Sequence, residues 1–225
     1  MKLFFHYCSF GFSNSYILGA AAPAHGPAPS AETSSAIESP RPIDAIIVDP
    51  GSMEEKTLKT IEDNNFNLCA VLITHEHIGH VRGLRTLKRI YNAEVFAINQ
   101  IVLDHKTTMV KDGDKINIAG FTIEVISIPG HSSDSAVYLT NSLLFTGDVL
   151  TAGMVGTTDS AYGAATQMGK LRSRLLSLPG DYTVLPGHGP PSTLEAERQF
   201  NVGINRYSER KTRKPAFRLD TGGFF

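Results

Sequence analysis

The chain has 225 residues, with 41% hydrophobic and 19% charged residues and a formal net charge of −1. This length suits one sizeable domain, and the small net charge predicts no general attraction to nucleic acid or to an anionic membrane. The two cysteines, Cys8 and Cys69, are too few for a disulfide framework. A reducing compartment is therefore favoured, and we predict a cytoplasmic protein.

The first twenty residues predict two short strands, at 2–8 and 14–18, joined by a turn rich in Ser, Gly and Phe. The alternative is a secretory signal peptide with a small-residue cleavage site at 19–22. Polar residues such as His6 and Ser9 interrupt its centre, so we favour the strands. No stretch of the sequence approaches the apolar length that spans a bilayer, and we predict no membrane association.

Residues 20–42 are rich in Ala, Pro, Ser and Glu, which predicts a flexible inserted loop. The apolar run at 45–48 then predicts a strand that ends at the turn signal Asp49-Pro50-Gly51. Residues 53–65 predict a helix, and the apolar run at 71–74 predicts a second buried strand. This second strand leads directly into the densest group of histidines in the chain.

The rest of the chain continues to alternate between helical and strand patterns, with turn residues between them. We predict helices at 79–91, 100–105, 165–178 and 194–201, and strands at 94–98, 115–118, 121–126, 137–140, 143–146 and 183–185. Together these elements predict one domain over residues 1–207, followed by a basic C-terminal tail at 208–225.

Three histidines, His75, His77 and His80, lie within six residues of one another after the predicted strand. In an extended backbone, residues two apart share a face, so His75 and His77 can point at one ion. His80 can turn back towards a neighbouring position. Neutral imidazole is the commonest metal-binding side chain in proteins, so this cluster predicts metal chemistry.

Three further candidate ligands stand at the ends of predicted strands, each directly after a glycine that lets the backbone pass close to an ion. These residues are His131, Asp148 and His188. The other three histidines have no such context, and we expect them to be ordinary core or surface residues: His6, His25 and His105.

This ordered set of motifs resembles the metallo-β-lactamase superfamily, and most closely its short glyoxalase II-like thioesterases. The motifs are Asn14-Ser15-Tyr16, Val48-Asp49-Pro50-Gly51, residues 74–80, Pro129-Gly130-His131, Thr146-Gly147-Asp148 and Gly187-His188-Gly189. Residues 145–156 point to the glyoxalase II-like branch. The resemblance implies an α/β fold, a four-layer αββα sandwich, with metal ions in a cleft where loops of both sheets meet.

The resemblance also implies the metal ligands. The first site would contain His75, His77 and His131, with Asp148 bridging to a second site. The second site would add two histidines, His80 and His188. Of these positions, Asp148 and His188 are the ones we assign to catalysis.

The chain departs from the family pattern His-x-His-x-Asp-His at one position, where Gly79 replaces the aspartate. In the family this carboxylate holds the second metal ion and orients the attacking hydroxide. We therefore expect the first site to fill and the second to be weak or empty. Asp134 is a candidate replacement, although an aspartate in such a loop commonly caps a turn through its own backbone. Glu76 is a poorer candidate, because it alternates away from the flanking histidines, and we expect an outer or surface role for it.

The expected cofactor is zinc, as one or two ions, with iron or manganese as alternatives. Zinc lowers the pKa of bound water to about 7, so that hydroxide becomes available for hydrolysis. The resemblance indicates a metallo-hydrolase acting on a small-molecule thioester such as an acylglutathione, with Tyr162 as a candidate substrate contact. Thr157 stands where many relatives have Arg, and the 37 residues after His188 are too few for the family's glutathione-binding helical domain. We therefore expect a smaller substrate, or one held by loops of the core.

Two other functions remain open from the sequence. Two histidines and a carboxylate, here His75, His131 and Asp148, are the ligands of mononuclear iron oxygenases, which favours a persulfide dioxygenase-like enzyme. Alternatively, the substitution at Gly79 marks a degenerate member that binds a ligand or partner without turnover. The sequence predicts no oligomeric state.

Overall fold

The computed structural model describes residues 1–20 and 41–205. The predicted tail at 208–225 lies outside the described residues, as does the predicted insertion apart from its edges. The proposed domain boundaries therefore stay a prediction. Among the described residues, no helix is both long and apolar enough to cross a bilayer.

Short strands dominate the described chain. In chain order they are β1 (Lys2–Tyr7), β2 (Asn14–Gly19), β3 (Ile43–Val48), β4 (Phe66–Leu72), β5 (Glu94–Ala97), β6 (Ile101–Val102), β7 (His105–Lys106), β8 (Thr108–Met109), β9 (Lys115–Ile118), β10 (Phe121–Ser127), β11 (Ala136–Thr140), β12 (Leu143–Gly147), β13 (Leu150–Thr151), β14 (Met154–Val155), β15 (Thr183–Pro186) and β16 (Ser192–Thr193). The helices are α1 (Glu55–Asp63), α2 (Ile78–Val81), α3 (Leu84–Ile90), α4 (Ala161–Lys170) and α5 (Leu194–Phe200), and a π-helical turn at Leu171–Leu175 continues α4.

Two six-stranded sheets form the centre of the molecule. Sheet 1 has the order β1-β2-β3-β4-β5-β8, and sheet 2 has the order β16-β15-β12-β11-β10-β9. In sheet 1 the strands β3, β4, β5 and β8 are parallel, and in sheet 2 β12 and β15 form the parallel pair. The carboxyl ends of parallel neighbours lie at the same edge of a sheet, which places the residues after β3 and β4 together, and likewise those after β12 and β15.

Three apolar layers hold these elements together. Between the sheets lie side chains from both, including Tyr16, Leu72, Ile123 and Phe145. On the outer face of sheet 1, Ile61 of α1 packs with Leu84 and Leu87 of α3. On the outer face of sheet 2, Met168 of α4 packs with Leu194 of α5. Helices therefore cover both outer faces, and the predicted four-layer αββα sandwich is confirmed.

Two predicted helices differ from the structure. The helix predicted at 100–105 is wrong, because β6 and β7 form a hairpin there. Leu103 at its turn has a φ of 49°, which an α-helix cannot accommodate. The helix predicted at 79–91 is divided into α2 and α3 at Gly83, whose backbone N–H donates to the carbonyl of Gly51 instead of to its own helix.

Candidate metal centre

Four strand ends bring the candidate ligands to one edge of the sandwich. In sheet 1, Asp49 directly follows β3, and His75 lies three residues beyond the end of β4. In sheet 2, Asp148 directly follows β12, and His188 lies two residues beyond the end of β15. The two sheets face each other, so these four side chains approach from opposite walls of the same cleft.

The first group of ligand atoms contains three imidazole nitrogens and one carboxylate oxygen. His77 Nδ1 lies 3.0 Å from His75 Nε2 and 3.1 Å from His131 Nε2. Asp148 Oδ2 lies 3.7 Å from His75 Nε2 and 3.5 Å from His131 Nε2. The four atoms are all within 4.8 Å of one another, which is close enough for one ion to contact them all.

The second group shares the same carboxylate, and His188 in it approaches the other oxygen. His80 Nε2 lies 3.5 Å from Asp148 Oδ2, and His188 Nδ1 lies 2.8 Å from Asp148 Oδ1. Gly187 makes this approach possible, because a Cβ atom there would lie 2.4 Å from Asp148 Oδ1 and 2.5 Å from the His80 ring. The structure thus brings all six sequence-predicted residues together, while their roles as ligands stay a prediction.

Hydrogen bonds on the outer side of the cluster fix the tautomer of His75. The Thr74 hydroxyl donates its one proton to Asp49 Oδ2, at 2.6 Å. It therefore accepts from His75 Nδ1, which lies 3.1 Å away. Since Nδ1 carries the proton, the lone pair of His75 is on Nε2 and faces the cluster, as a metal ligand requires.

The outer nitrogens of two further histidines also face acceptors. His80 Nδ1 donates to Asp49 Oδ2 at 2.9 Å, and His131 Nδ1 donates to the Thr157 carbonyl at 2.8 Å. Buried His80 Nε2 has no hydrogen-bond partner among the described residues, so a polar atom points into the cluster unsatisfied. Converging imidazoles, a shared carboxylate and this orphaned nitrogen fit a divalent metal ion.

Asp49 is the important residue whose role sequence reasoning missed, since we interpreted it as part of a turn and of a family motif without assigning it to the cluster. Its carboxylate is 2% exposed and accepts from the Thr74 amide, the Thr74 hydroxyl and His80 Nδ1. Asp49 also lies within ligand distance of His75 and His80. Because three donors already engage its oxygens, it orients both histidines instead of forming a third metal position. A carboxylate ending a buried strand was the signal that could have identified it.

The pKa values divide the cluster into two parts. Burial lowers the pKa of His75 to about 2 and also lowers the pKa of His77. Burial opposes the charge of His80 too, but the Asp49 and Asp148 carboxylates outweigh it and raise the pKa of His80 to about 10. The hydrogen bond to Asp148 likewise raises the pKa of His188.

The pKa of Asp148 is held below its usual range. Burial of its carboxylate acts in the opposite direction, but the hydrogen bond from His188 and the nearby His80 imidazole outweigh it. At neutral pH, His75 and His77 are therefore neutral, and Asp148 is ionised beside them. Neutral imidazoles and an ionised carboxylate are the protonation states that bind a metal ion without first losing a proton.

To replace the carboxylate missing at Gly79, Asp134 would have to face the cluster, but its carboxylate faces other groups. Asp134 Oδ2 accepts from the Glu76 amide at 2.9 Å and from Asn99 Nδ2 at 3.3 Å. Among the described residues, none of the three groups with metal-ligand spacing includes Asp134. Glu76 accepts from the Leu103 amide at 3.2 Å and from Asn99, so it supports the β6–β7 hairpin. Neither Asp134 nor Glu76 therefore replaces the carboxylate that the family pattern has at position 79.

Exposed apolar side chains stand on segments that carry the cluster or pack next to it. Ile78, which directly follows His77, is 55% exposed, and Phe12 of the β1–β2 turn is 67% exposed. Tyr162 of α4 is 82% exposed, and this helix packs close to the residue before His131. These side chains are available to contact a substrate. A separate cavity of about 400 Å³ contains none of the cluster residues and is lined by Arg85, Lys88, Arg89, Asp104 and His105.

Comparison with known proteins places this cluster in a family. The sequence model of the metallo-β-lactamase superfamily matches residues 32–188. Hydroxyacylglutathione hydrolase GloC from Haemophilus influenzae is 29% identical over 188 residues, which cover 73% of this chain and 89% of that protein. A hydroxyacylglutathione hydrolase from Photobacterium profundum is 32% identical over 182 residues, which cover 78% of this chain and 71% of that protein.

A solved structure shows the same fold. The crystal structure of ETHE1 from Myxococcus xanthus matches with a TM-score of 0.73 and 24% identity, and the match covers 90% of this chain and 84% of that one. The matched sequence region contains both sheets' ligand-bearing strand ends, from Asp49 to His188. The chain therefore belongs to the metallo-β-lactamase superfamily.

Proposed function

We propose that this protein is a metal-dependent hydrolase that cleaves a small thioester of the acylglutathione class. The main support is the convergence of three imidazole nitrogens, from His75, His77 and His131, beside Asp148 Oδ2. Three histidines in a site with an open side are a known ligand set of catalytic zinc. His77 is exposed, so the proposed site is open to a substrate from solvent.

A bound divalent ion supplies a coordinated water with a pKa near 7 and polarises the carbonyl oxygen of an ester. The residues of the chain prepare the site for that ion. Thr74 and Thr157 accept the Nδ1 protons of His75 and His131, which directs both lone pairs inward. Asp148 would provide the negative charge that holds such an ion.

The thioester assignment is supported by the two relatives named hydroxyacylglutathione hydrolases. Hydrolysis of a thioester adds water across the bond between the acyl carbon and sulfur, giving a carboxylic acid and a free thiol. The exposed rim side chains Phe12, Ile78 and Tyr162 offer apolar surface to either half of such a substrate.

The test combines elemental analysis with a thiol-release assay. Zinc, iron and manganese are counted per chain, and S-lactoylglutathione hydrolysis is followed through the free thiol. We expect zinc and turnover in the wild type, and loss of both in His77→Ala. The control His105→Ala changes a histidine outside the cluster and should retain activity. Bound zinc without thiol release from any acyl thioester would contradict the proposal and favour the degenerate, ligand-binding alternative.

The second candidate is an iron oxygenase. It is favoured by one observation, that His75 and His131 both approach the single carboxylate of Asp148. One iron per chain, with oxygen consumption on glutathione persulfide, would replace the hydrolase proposal by this one. The cytoplasmic location and the absence of a nucleic-acid partner stay predictions.

A further inference from the structure

The three cationic side chains of α3 lie on the solvent side of this helix. Arg85, Lys88 and Arg89 are three or four residues apart, a spacing that makes side chains neighbours on a helix surface. The apolar side chains of Leu84 and Leu87 are buried on the opposite side. Like charges at this spacing repel one another, and α3 contains no acidic residue that would offset them. In a chain with a formal net charge of −1, this helix face is a local concentration of positive charge.

These cations form one wall of the separate cavity of about 400 Å³, and Asp104 and His105 of the β6–β7 hairpin complete its lining. Small-molecule sites have volumes of about 300 to 1,000 Å³, so a compound of low molecular weight fits. None of the five lining residues has an apolar side chain. Most ligand pockets are lined mainly by apolar side chains, so this lining favours a ligand that is charged and polar throughout.

The partners of these side chains leave positive charge unmatched. Arg85 Nη2 lies 2.5 Å from Oδ2 of Asp104, the one carboxylate in the lining. Lys88 Nζ donates to the Ala93 carbonyl at 2.6 Å, which fixes the ammonium group without neutralising it. Within the part of the chain that the structure describes, the Arg89 guanidinium has neither an ion pair nor a hydrogen bond. Three cations and one carboxylate therefore give the lining a net charge of +2 when its histidine is counted as neutral.

We propose that this cavity binds the phosphate group of a small polar ester, a sugar phosphate in chemical class. A phosphate monoester has a charge of about −1.5 to −2 at pH 7, which matches the charge of the lining. The guanidinium of Arg89 is free to donate two parallel N–H bonds to phosphate oxygens, and Lys88 adds a fixed point charge beside it. The hydroxyl groups of a sugar suit a lining that has no apolar side chain.

The proposed phosphate site is separate from the metal centre but connected to it through the chain. Helix α3 follows α2, which contains His80. The Leu103 amide of the hairpin donates to Glu76, which lies between two histidines of the cluster. A ligand that bridges α3 and the hairpin therefore joins two segments that are both attached to the cluster. None of the cluster residues lines the cavity, so the inference does not depend on the proposed hydrolase reaction.

The first experiment measures binding of glucose 6-phosphate, inorganic phosphate and glucose to the full chain by isothermal titration calorimetry. At about 0.1 M salt, attraction between charges more than about 10 Å apart is largely screened. We expect glucose 6-phosphate to bind, inorganic phosphate to bind more weakly and glucose not to bind. The affinity for glucose 6-phosphate should be the same in His77→Ala, which disrupts the proposed metal centre. Loss of binding in that variant would place the phosphate at the metal centre and overturn the proposal. Absence of binding to the wild type, or equal affinities for the ester and inorganic phosphate, would also overturn it.

Matched charge variants test the position of the site. Arg89→Gln removes a cation from the lining, whereas Lys106→Gln removes the same charge from an exposed residue of β7 outside the lining. We expect Arg89→Gln to lower the affinity for glucose 6-phosphate about 10-fold or more, because a charge-assisted hydrogen bond is lost, and Lys106→Gln to leave it nearly unchanged. Asp104→Asn should raise the affinity, because it releases Arg85 from its ion pair.

The substituted side chains are exposed, so each variant should fold, and circular dichroism checks this. Equal losses in Arg89→Gln and Lys106→Gln would mean that general charge attraction explains the binding, and the proposed site would be wrong. A lower affinity in Asp104→Asn would contradict it as well. If the phosphate site behaves as described but no thioester is cleaved, the inference stands and the proposed function fails.

Discussion

The two halves of the histidine cluster use the same residue types but are held in different ways. In the first half, burial keeps His75 neutral, and its inner nitrogen faces His77 and His131. In the second half, nearby carboxylates raise the pKa of both His80 and His188. A metal ion bound at His80 or His188 would have to displace a proton, while one bound at His75 would not. The number of histidines in a site therefore does not determine the number of ions, because the outer partners of each ring decide which nitrogens are free.

The largest expected effect comes from Asp49, which supports both halves. Asp49→Asn leaves Thr74 and His80 facing an amide that cannot accept all their hydrogen bonds. Removing one partner of a buried charged pair costs about 3 to 5 kcal/mol of unfolding free energy, and we expect a loss in that range by urea denaturation. Asn tolerates the positive φ of 49° at this position, so the backbone is not the cause. Exposed Asp44 of β3, the strand that ends directly before Asp49, gives the control Asp44→Asn, for which we expect a change within about 0.5 kcal/mol.

The ion pair between Asp49 and His80 gives a prediction for the pH dependence of stability. The folded-state pKa of His80, about 10, lies above its ordinary value of 6.5. The stabilisation of the folded state by protonated His80 is therefore complete below pH 6.5 and is lost as the pH rises towards about 10. For protein stripped of metal by a chelator, the stability difference between wild type and Asp49→Asn should shrink over that interval. A difference that stays constant with pH would mean that His80 is not charged against Asp49.

Loss of a proposed ligand in the first half should have the next largest effect. His77→Ala removes the nitrogen that lies within about 3 Å of both His75 and His131. We expect zinc affinity to fall by more than the roughly 10- to 100-fold typical of an outer partner. Because His77 is exposed, its loss should leave the thermal unfolding temperature of the metal-free protein almost unchanged. A large fall in that temperature would instead indicate a structural role.

Restoring the family carboxylate should make the two halves more alike. At Gly79 a Cβ atom would meet Gly11 and Ser13 at 3.5 to 3.8 Å, which are ordinary contacts, so the Cβ atom of Gly79→Asp needs no movement of the backbone. We expect the metal count to rise from one to two, since the hydrogen bond between half-exposed His188 and the Gly11 carbonyl costs only about 1 kcal/mol to break. Gly169→Asp adds the same charge on the exposed surface of α4 and should leave the count at one. A metal count of one in Gly79→Asp would mean that the turn between β1 and β2 excludes the second ion by itself.

The positions of the candidate ligands were predictable because they depend on local patterns. Buried apolar runs before His75, Asp148 and His188 predict strands, and the glycine directly before Asp148 and before His188 predicts close approach of the backbone. Parallel neighbouring strands then place those residues at one edge of a sheet. The family motifs predict the whole fold, and the two facing sheets confirm it.

What was not predictable depends on contacts between distant parts of the chain. Gly11 and His188 are 177 residues apart, and nothing in either local sequence indicates their hydrogen bond. The β6–β7 hairpin forms where a helix was predicted, because Glu76 binds the Leu103 amide at a turn with positive φ. Asp49 has the pattern of a turn residue, and its role becomes visible only when β3 and β4 lie side by side.

The smallest expected effects come from two tyrosines that connect the sheets in opposite directions. Tyr16 of sheet 1 donates to the Pro186 carbonyl at 2.7 Å, and Tyr138 of sheet 2 donates to the Ile73 carbonyl at 2.9 Å. Each carbonyl lies at the end of a strand that leads into the metal centre, one in each half. The two hydroxyls thus fix the distance between the walls of the cleft.

Removal of the two hydroxyl groups should lower the free energy of unfolding by different amounts. In Tyr16→Phe the Pro186 carbonyl keeps a second donor, Asn14 Nδ2 at 2.9 Å, so we expect a loss of about 1 kcal/mol by urea denaturation. In Tyr138→Phe the Ile73 carbonyl loses the one donor that reaches it among the described residues, and a buried unsatisfied carbonyl costs about 1 to 3 kcal/mol. Because Ile73 lies two residues before His75, Tyr138→Phe should also weaken zinc binding more than Tyr16→Phe does. Equal effects of the two substitutions on zinc affinity would mean that the walls move together and that the first half of the cluster is no more rigid than the second.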